Sequence, residues 1–228
     1  MKIRQQKANN QALTLIDVLV IILILILLAG MLLVALAASH KRSSKMGCTD
    51  NLKQVGLAFR IWTGDNNDKY PMELSVKNGG TMELLGGPDA WKTFQVMSNE
   101  LSAPKILCCP KDSARAGYAT NFDDDLKNKI SYFIGLDANL ANPNYLLSGD
   151  DNFVVNRSPI KPGLIQLTPA TSVTWNTDRH GSDEPRFWVS KKLGNLLFAD
   201  GSVQSVGNSG LTSRLQQTGL ATNRLAIP

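Results

Sequence analysis

The stretch Val18 to Ala38, VLVIILILILLAGMLLVALAA, decides the architecture: 21 residues without a charge, interrupted only by Gly30. At about 1.5 Å of rise per helical residue the run reaches roughly 30 Å, the thickness of a bilayer's hydrocarbon core. Apolar side chains stand all round such a helix, so it has no wettable face to turn outward from a soluble core. The stretch reads as a membrane segment. Lys2, Arg4 and Lys7 precede it and Lys41, Arg42 and Lys45 follow, so flanking charge does not fix its orientation. Two plain alternatives stay open. A basic start, an apolar run and Ala35-Leu36-Ala37 have the outline of a secretory signal peptide with a mature start at Ala38. Against this, the run exceeds the roughly 7–15 residues usual for a signal's apolar region. The other alternative is an ordinary signal anchor.

The chain of 228 residues is 43% apolar and 19% charged, which excludes a disordered chain and suits one globular domain with an appendage. Of 24 Lys and Arg against 19 Asp and Glu, three basic residues lie ahead of the apolar run. The remaining excess gives no argument for nucleic acid as a partner. Three cysteines are too few for a disulfide scaffold or a Cys-rich zinc module.

Asp17 is out of place for both plain alternatives. It opens the apolar run behind Leu13-Thr14-Leu15-Ile16. A carboxylate entering hydrocarbon costs several kcal/mol unless paired, so it points to a function. The string Ala12-Leu13-Thr14-Leu15-Ile16-Asp17 resembles the processing site of type IV prepilins and type II secretion pseudopilins. In that family a basic leader is cleaved after Gly, the new N-terminal residue is methylated, and an acid stands fifth in the mature chain. The resemblance makes Ala12 the last leader residue, Leu13 the methylated N-terminus and Asp17 the fifth-position acid. Asp17 would then pair with a neighbour's amine and set the register between subunits, and Thr14 is satisfied by its own helix backbone. Ala12 replaces the family's Gly, Leu13 its Phe and Asp17 its Glu.

Beyond the membrane, Cys48, Leu52, Val55, Phe59 and Trp62 are spaced 4, 3, 4 and 3, an amphipathic stripe that predicts one long helix ending near Gly64. Cys48-Thr49-Asp50-Asn51-Leu52-Lys53-Gln54, then Tyr70-Pro71 and Cys109-Pro110-Lys111-Asp112, resemble a branch of pilin-like proteins abundant in planctomycetes and verrucomicrobia. Arg179-His180 and Asp200-Gly201 match that branch's His and Asp-Gly, though with a longer gap between them.

Past residue 70, short apolar runs between Gly, Pro, Asn and Asp predict strands. They are Lys105–Cys108, Ile130–Ile134, Asn152–Val155, Ser172–Asn176, Arg186–Val189, Asn195–Ala199 and Ser202–Val206. Asp200-Gly201 predicts a type I′ hairpin turn. Residues 139–152 and 207–228 read as loops or a loose tail. The expected fold is α+β: a long N-terminal helix, membrane-embedded in its first half, on an antiparallel sheet with irregular insertions. Its parts are a leader over 1–12, a transmembrane half over 13–38, an amphipathic half over 39–63 and a β-rich periplasmic domain over 64–228.

Candidate sites are few. In an oxidising space a Cys48–Cys109 disulfide would tie helix to sheet; the alternative is three buried free thiols. No Cys-x-x-Cys spacing supports zinc at Cys48, Cys108, Cys109 and His180, and no metal is expected. Asp123-Asp124-Asp125 and Asp150-Asp151-Asn152 carry oxygen ligands of the kind Ca²⁺ takes, but solvated loop charge is the expectation. No cofactor is expected. Without a nucleophile motif or phosphate loop, no enzyme is expected either. Trp62, Trp91, Trp175 and Trp188 are expected in the core or at its rim.

The resemblance implies a structural subunit in the inner membrane, with the leader cytoplasmic and the globular part periplasmic. Its partners would be a prepilin peptidase, like subunits and an assembly platform. The alternative is a secreted or anchored periplasmic binding protein.

Overall fold

The computed structural model describes residues 15–115, 117–176, 179–180 and 192–228. Ala12, Leu13, Thr14 and the candidate strand over 186–189 lie outside the described residues, as does Trp188. The chain is α+β and divides into two units, residues 1–42 and 43–228. Helix α1 is assigned over Leu15–Asp65.

In the first unit, Leu15–Leu33 has a mean hydropathy of 3.2 and every residue of it is exposed. By length and composition it is one helix able to cross a membrane, as an anchor or a signal sequence. Asp17 stands in its first turn.

In the second unit, the part of α1 after Ser43 buries the expected stripe: Cys48, Leu52, Val55 and Phe59 are fully covered and Trp62 nearly so. The helix stops where Asn67 and Asp68 turn to positive φ and the Asp68 N–H bonds to the Thr63 carbonyl, 3.0 Å away. Short helices α2 (Lys92–Val96) and α3 (Ser98–Leu101), with 3-10 turns around them, follow and cover the near side of the core.

Among the described residues, nine strands form two antiparallel sheets. They are β1 (Tyr132–Gly135), β2 (Leu146–Asp150), β3 (Phe153–Val155), β4 (Ser158–Pro159), β5 (Gly163–Leu167), β6 (Val173–Trp175), β7 (Leu193–Phe198), β8 (Val203–Gly207) and β9 (Asn223–Ile227). The larger sheet runs β5-β9-β1-β2-β7-β8 and the smaller β4-β3-β6. Helix α4 (Asn208–Gln217) lies between β8 and β9 in sequence.

The central strands β1, β2 and β7 of the larger sheet are buried on both faces. Tyr132, Ile134, Leu147, Leu197 and Ala226 join the core under α1. Their chain neighbours Phe133, Leu146, Leu196 and Leu225 point the other way, into a second core with Trp175 of β6 and Leu211 and Leu215 of α4. Side chains alternate along a strand, so a strand covered on both sides needs an unbroken apolar run, which is what Tyr132-Phe133-Ile134 and Leu196-Leu197-Phe198 are. Gly56 lets α1 approach: a Cβ there would come within 2.8 Å of the Leu197 side chain.

Several expectations are corrected. Residues 104–107 form a 3-10 turn and not a strand, because Pro104 fixes a turn-compatible φ at its start. The presumed loop over 139–152 contains β2. The presumed tail over 207–228 contains α4 and β9, held through Leu211, Leu215, Leu225 and Ile227. The β7–β8 hairpin has positive φ at Gly201 and not at Asp200, so its turn is not type I′. Instead the Gly201 N–H bonds to Phe198 O and the Phe198 N–H to Ser202 O, a three-residue loop with Gly in the left-handed position.

Candidate functional site

The most chemically dense region is a buried ion network assembled from four separate segments. Asp112 lies in the loop that begins at Cys108, Ser131 precedes β1, Asp150 ends β2 with Asp151 next to it, and Arg179-His180 lie beyond β6. Main-chain bonds bring these segments together: the Ser131 N–H donates to Leu107 O and the Asp151 N–H to Ser131 O, at 2.9 and 3.0 Å.

Arg179 is the hub. Its Nη2 lies 2.8 Å from Asp112 Oδ2 and 3.1 Å from Asp151 Oδ1, and its Nη1 donates to Ser131 O at 3.3 Å. Arg115 reaches the second Asp151 oxygen through its own Nη2. Ser131 Oγ donates to Asp112 Oδ2 at 2.7 Å and accepts the Cys109 N–H at 3.0 Å. His180 Nε2 lies 2.9 Å from Asp150 Oδ2, which also accepts the Asn195 N–H at 2.6 Å. His180 Nδ1 meets no partner among the described residues.

Three carboxylates thus face two guanidinium groups, and His180 is the third group able to carry a positive charge. Buried ions persist only when paired in this way, since an unpaired one would cost several kcal/mol. Burial pushes the Asp151 carboxyl above its ordinary value, although Arg179 and Arg115 both pull it down.

The network abuts a disulfide. Cys48 of α1 is bonded to Cys109, and Cys109 Sγ is 3.7 Å from His180 Nε2. Cys108 remains a buried free thiol, pushed up by burial, with its Sγ 3.7 Å from Ser131 Oγ. A cleft of about 310 Å³ adjoins the network, lined by Arg115, Asp151 and Arg179 together with Pro159, Ile160 and Ile227.

The structure therefore corrects the expectation of solvated acid at Asp150-Asp151-Asn152: all three are buried, and the two carboxylates are spent on Arg179, Arg115 and His180. Asp125 is in an exposed loop, held by Lys129 Nζ at 2.7 Å and by the Thr120 N–H at 2.9 Å. Trp62, Trp91 and Trp175 are core residues. Residues quoted from distant parts of the sequence meet here, since Cys109, Asp112, Arg179 and His180 share one network. Arg115, Ser131, Asp150 and Asp151 were not singled out as its members. Only the positions of Asp112 and Arg179 hinted at them, because buried charge demands partners.

Compared with protein-family models, curated proteins and solved structures, the chain matches none.

Proposed function

We propose that this chain is a pilin-like or pseudopilin subunit, a structural protein and not an enzyme. A prepilin peptidase would process it between Ala12 and Leu13, and an inner-membrane platform would assemble it with like subunits. The observation that carries this reading is the fully exposed apolar helix Leu15–Leu33 with an acid, Asp17, in its first turn. A signal sequence or plain anchor has no use for a carboxylate at that depth, whereas a helical fibre does. There, a neighbour's N-terminal amine meets the carboxylate in low dielectric and fixes the axial register between subunits. The leader is cytoplasmic in this reading and the second unit periplasmic, where the Cys48–Cys109 disulfide is at home.

The experiment is the intact mass and N-terminal residue of the chain recovered from native membranes. An N-methylated Leu13 start supports the fibre subunit; a start at Ala38 or an unprocessed Met1 overturns it. The cleft beside Arg115 and Arg179 favours a second reading, an anchored periplasmic binding protein, which the latter outcomes would promote.

A further inference from the structure

We infer that Cys48, Cys109, His180 and Asp150 form a zinc site when the disulfide is reduced, so that the same point of the fold is stapled by a covalent bond in one redox state and by a metal in the other. The inference stands independently of the fibre reading.

The donor atoms are already gathered. Cys48 Sγ, Cys109 Sγ and a ring nitrogen of His180 lie within 4.8 Å of one another, all buried. Asp150 Oδ2 supplies a fourth ligand 2.9 Å from His180 Nε2. A tetrahedral zinc with bonds of about 2.0–2.3 Å holds its ligand atoms roughly 3.3–3.8 Å apart. The His180 Nε2 to Cys109 Sγ distance of 3.7 Å falls in that range without rearrangement.

Around Asp150 the outer shell is also in place. The Asn195 N–H holds Asp150 Oδ2 at 2.6 Å, and Arg179 Nη1 stands 3.8 Å from Asp150 Oδ1. Two thiolates and a carboxylate around a divalent ion leave one net negative charge, which the guanidinium of Arg179 faces. Cys108 is no competitor in this arrangement, because it does not belong to the converging set.

The chemistry balances with a dithiol as reductant. One of its thiolates attacks the Cys48–Cys109 bond, the second resolves the mixed disulfide, and the dithiol leaves oxidised while both cysteines take up protons. Zinc then displaces those two thiol protons, the proton on His180 Nε2 passes through solvent to Nδ1 so that the neutral ring coordinates, and the sulfurs part to ligand spacing. Four ligands from α1, the loop at Cys109, β2 and the segment after β6 replace one covalent link.

The test uses the full chain in detergent, reduced under nitrogen by a dithiol that is then removed, and titrated with Co²⁺ as the probe. Expected is one equivalent of tetrahedral cobalt with thiolate-to-metal charge-transfer absorption. That absorption should be absent from the oxidised chain, displaced by Zn²⁺ and retained in Cys108→Ser. His180→Gln should weaken binding about tenfold or more, at least as much as loss of an outer-shell partner does. Circular dichroism follows the fold throughout. Absence of charge-transfer absorption overturns the inference, whether the reduced chain stays folded or fails to refold with cobalt. So does binding that His180→Gln leaves unchanged, or that Cys108→Ser abolishes.

Discussion

Arg179 Nη2 and Asp112 Oδ2 lie 2.8 Å apart with their side chains 6% and 1% exposed, so neither charge has water to fall back on. Removing one member of such a pair leaves the other uncompensated. Arg179 faces three carboxylates, whereas Asp112 shares Arg179 with Asp151. Arg179→Met should therefore cost about 3–5 kcal/mol, and Asp112→Asn less. Urea unfolding of the two variants checks the order; equal losses would mean that Arg179 is not the hub.

The disulfide closes a loop of 61 residues. On the chain-entropy account a loop of that size contributes about 4 kcal/mol, less any native strain. Cys48→Ala with Cys109→Ala, compared with the oxidised parent in metal-free buffer, should lose stability of that order. A loss below about 1 kcal/mol would place the holding power in the packing of α1 alone.

Glycines separate by what a methyl would strike. At Gly135 a Cβ would run into the Leu146 carbonyl, which is main chain paired in the sheet and cannot withdraw. At Gly194 it would meet the Trp175 ring inside the second core. Alanine at either position should cost about 1–3 kcal/mol or more, with Gly135 the worse. Gly64, with nothing near it in the last turn of α1, should accept alanine with a gain of about 0.4–1 kcal/mol. Thermal melts of the three variants test the ranking.

Tyr70 gives an alkaline signature. Its phenol donates to Ala199 O at 3.1 Å and is buried, which raises its pKa to about 12 from an ordinary 10. The phenolate forms more readily in the unfolded chain, so stability is whole below pH 10 and falls as pH climbs from 10 toward 12. Tyr132, raised by the same cause, adds to the fall. Tyr70→Phe should flatten part of that slope; an unaltered slope would show that Tyr70 is free to ionise in the fold.

Glu83 gives the acid counterpart. Ser75 Oγ and the Val76 N–H donate to its two oxygens, at 2.6 and 2.9 Å, and hold its carboxyl below the ordinary range. The stabilisation is present above the ordinary pKa and lost as pH falls through the lowered one. Glu83→Gln should loosen the 75–83 loop at neutral pH with little further change in acid, as hydrogen exchange at Val76 would report.

The helix was legible because its signals are local. Cys48, Leu52, Val55, Phe59 and Trp62 repeat at the helical period, and all five are buried. The strands of the larger sheet were half legible. Leu196-Leu197-Phe198 announces itself as an apolar run, but β2 reads Leu-Leu-Ser-Gly-Asp, and Ser148 and Asp150 hid it. Both are polar residues whose partners, Phe133 O for Ser148 Oγ and the Asn195 N–H for Asp150, lie far away in sequence. Helix α4 was hidden by Asn, Ser and Gly in its first turn, residues of weak helix propensity that packing of Leu211 and Leu215 overrides. The ion network was invisible for the same reason as β2. Nothing near Asp151 says that two arginines, at 115 and 179, will converge on it.

The link from Cys48 to Cys109 also governs how the second unit bears load. Among the described residues Cys48 is the first buried position of the helix stripe, and Leu52, Val55, Phe59 and Trp62 all follow it. Tension arriving along α1 from its N-terminal side therefore meets a covalent bond before it meets any of those contacts. Peeling, in which apolar side chains are stripped one turn at a time at small force each, is barred. The load passes instead into the loop that carries Asp112 and on to Arg179, and the enclosed residues 49–108 are shielded until a sulfur–sulfur bond breaks.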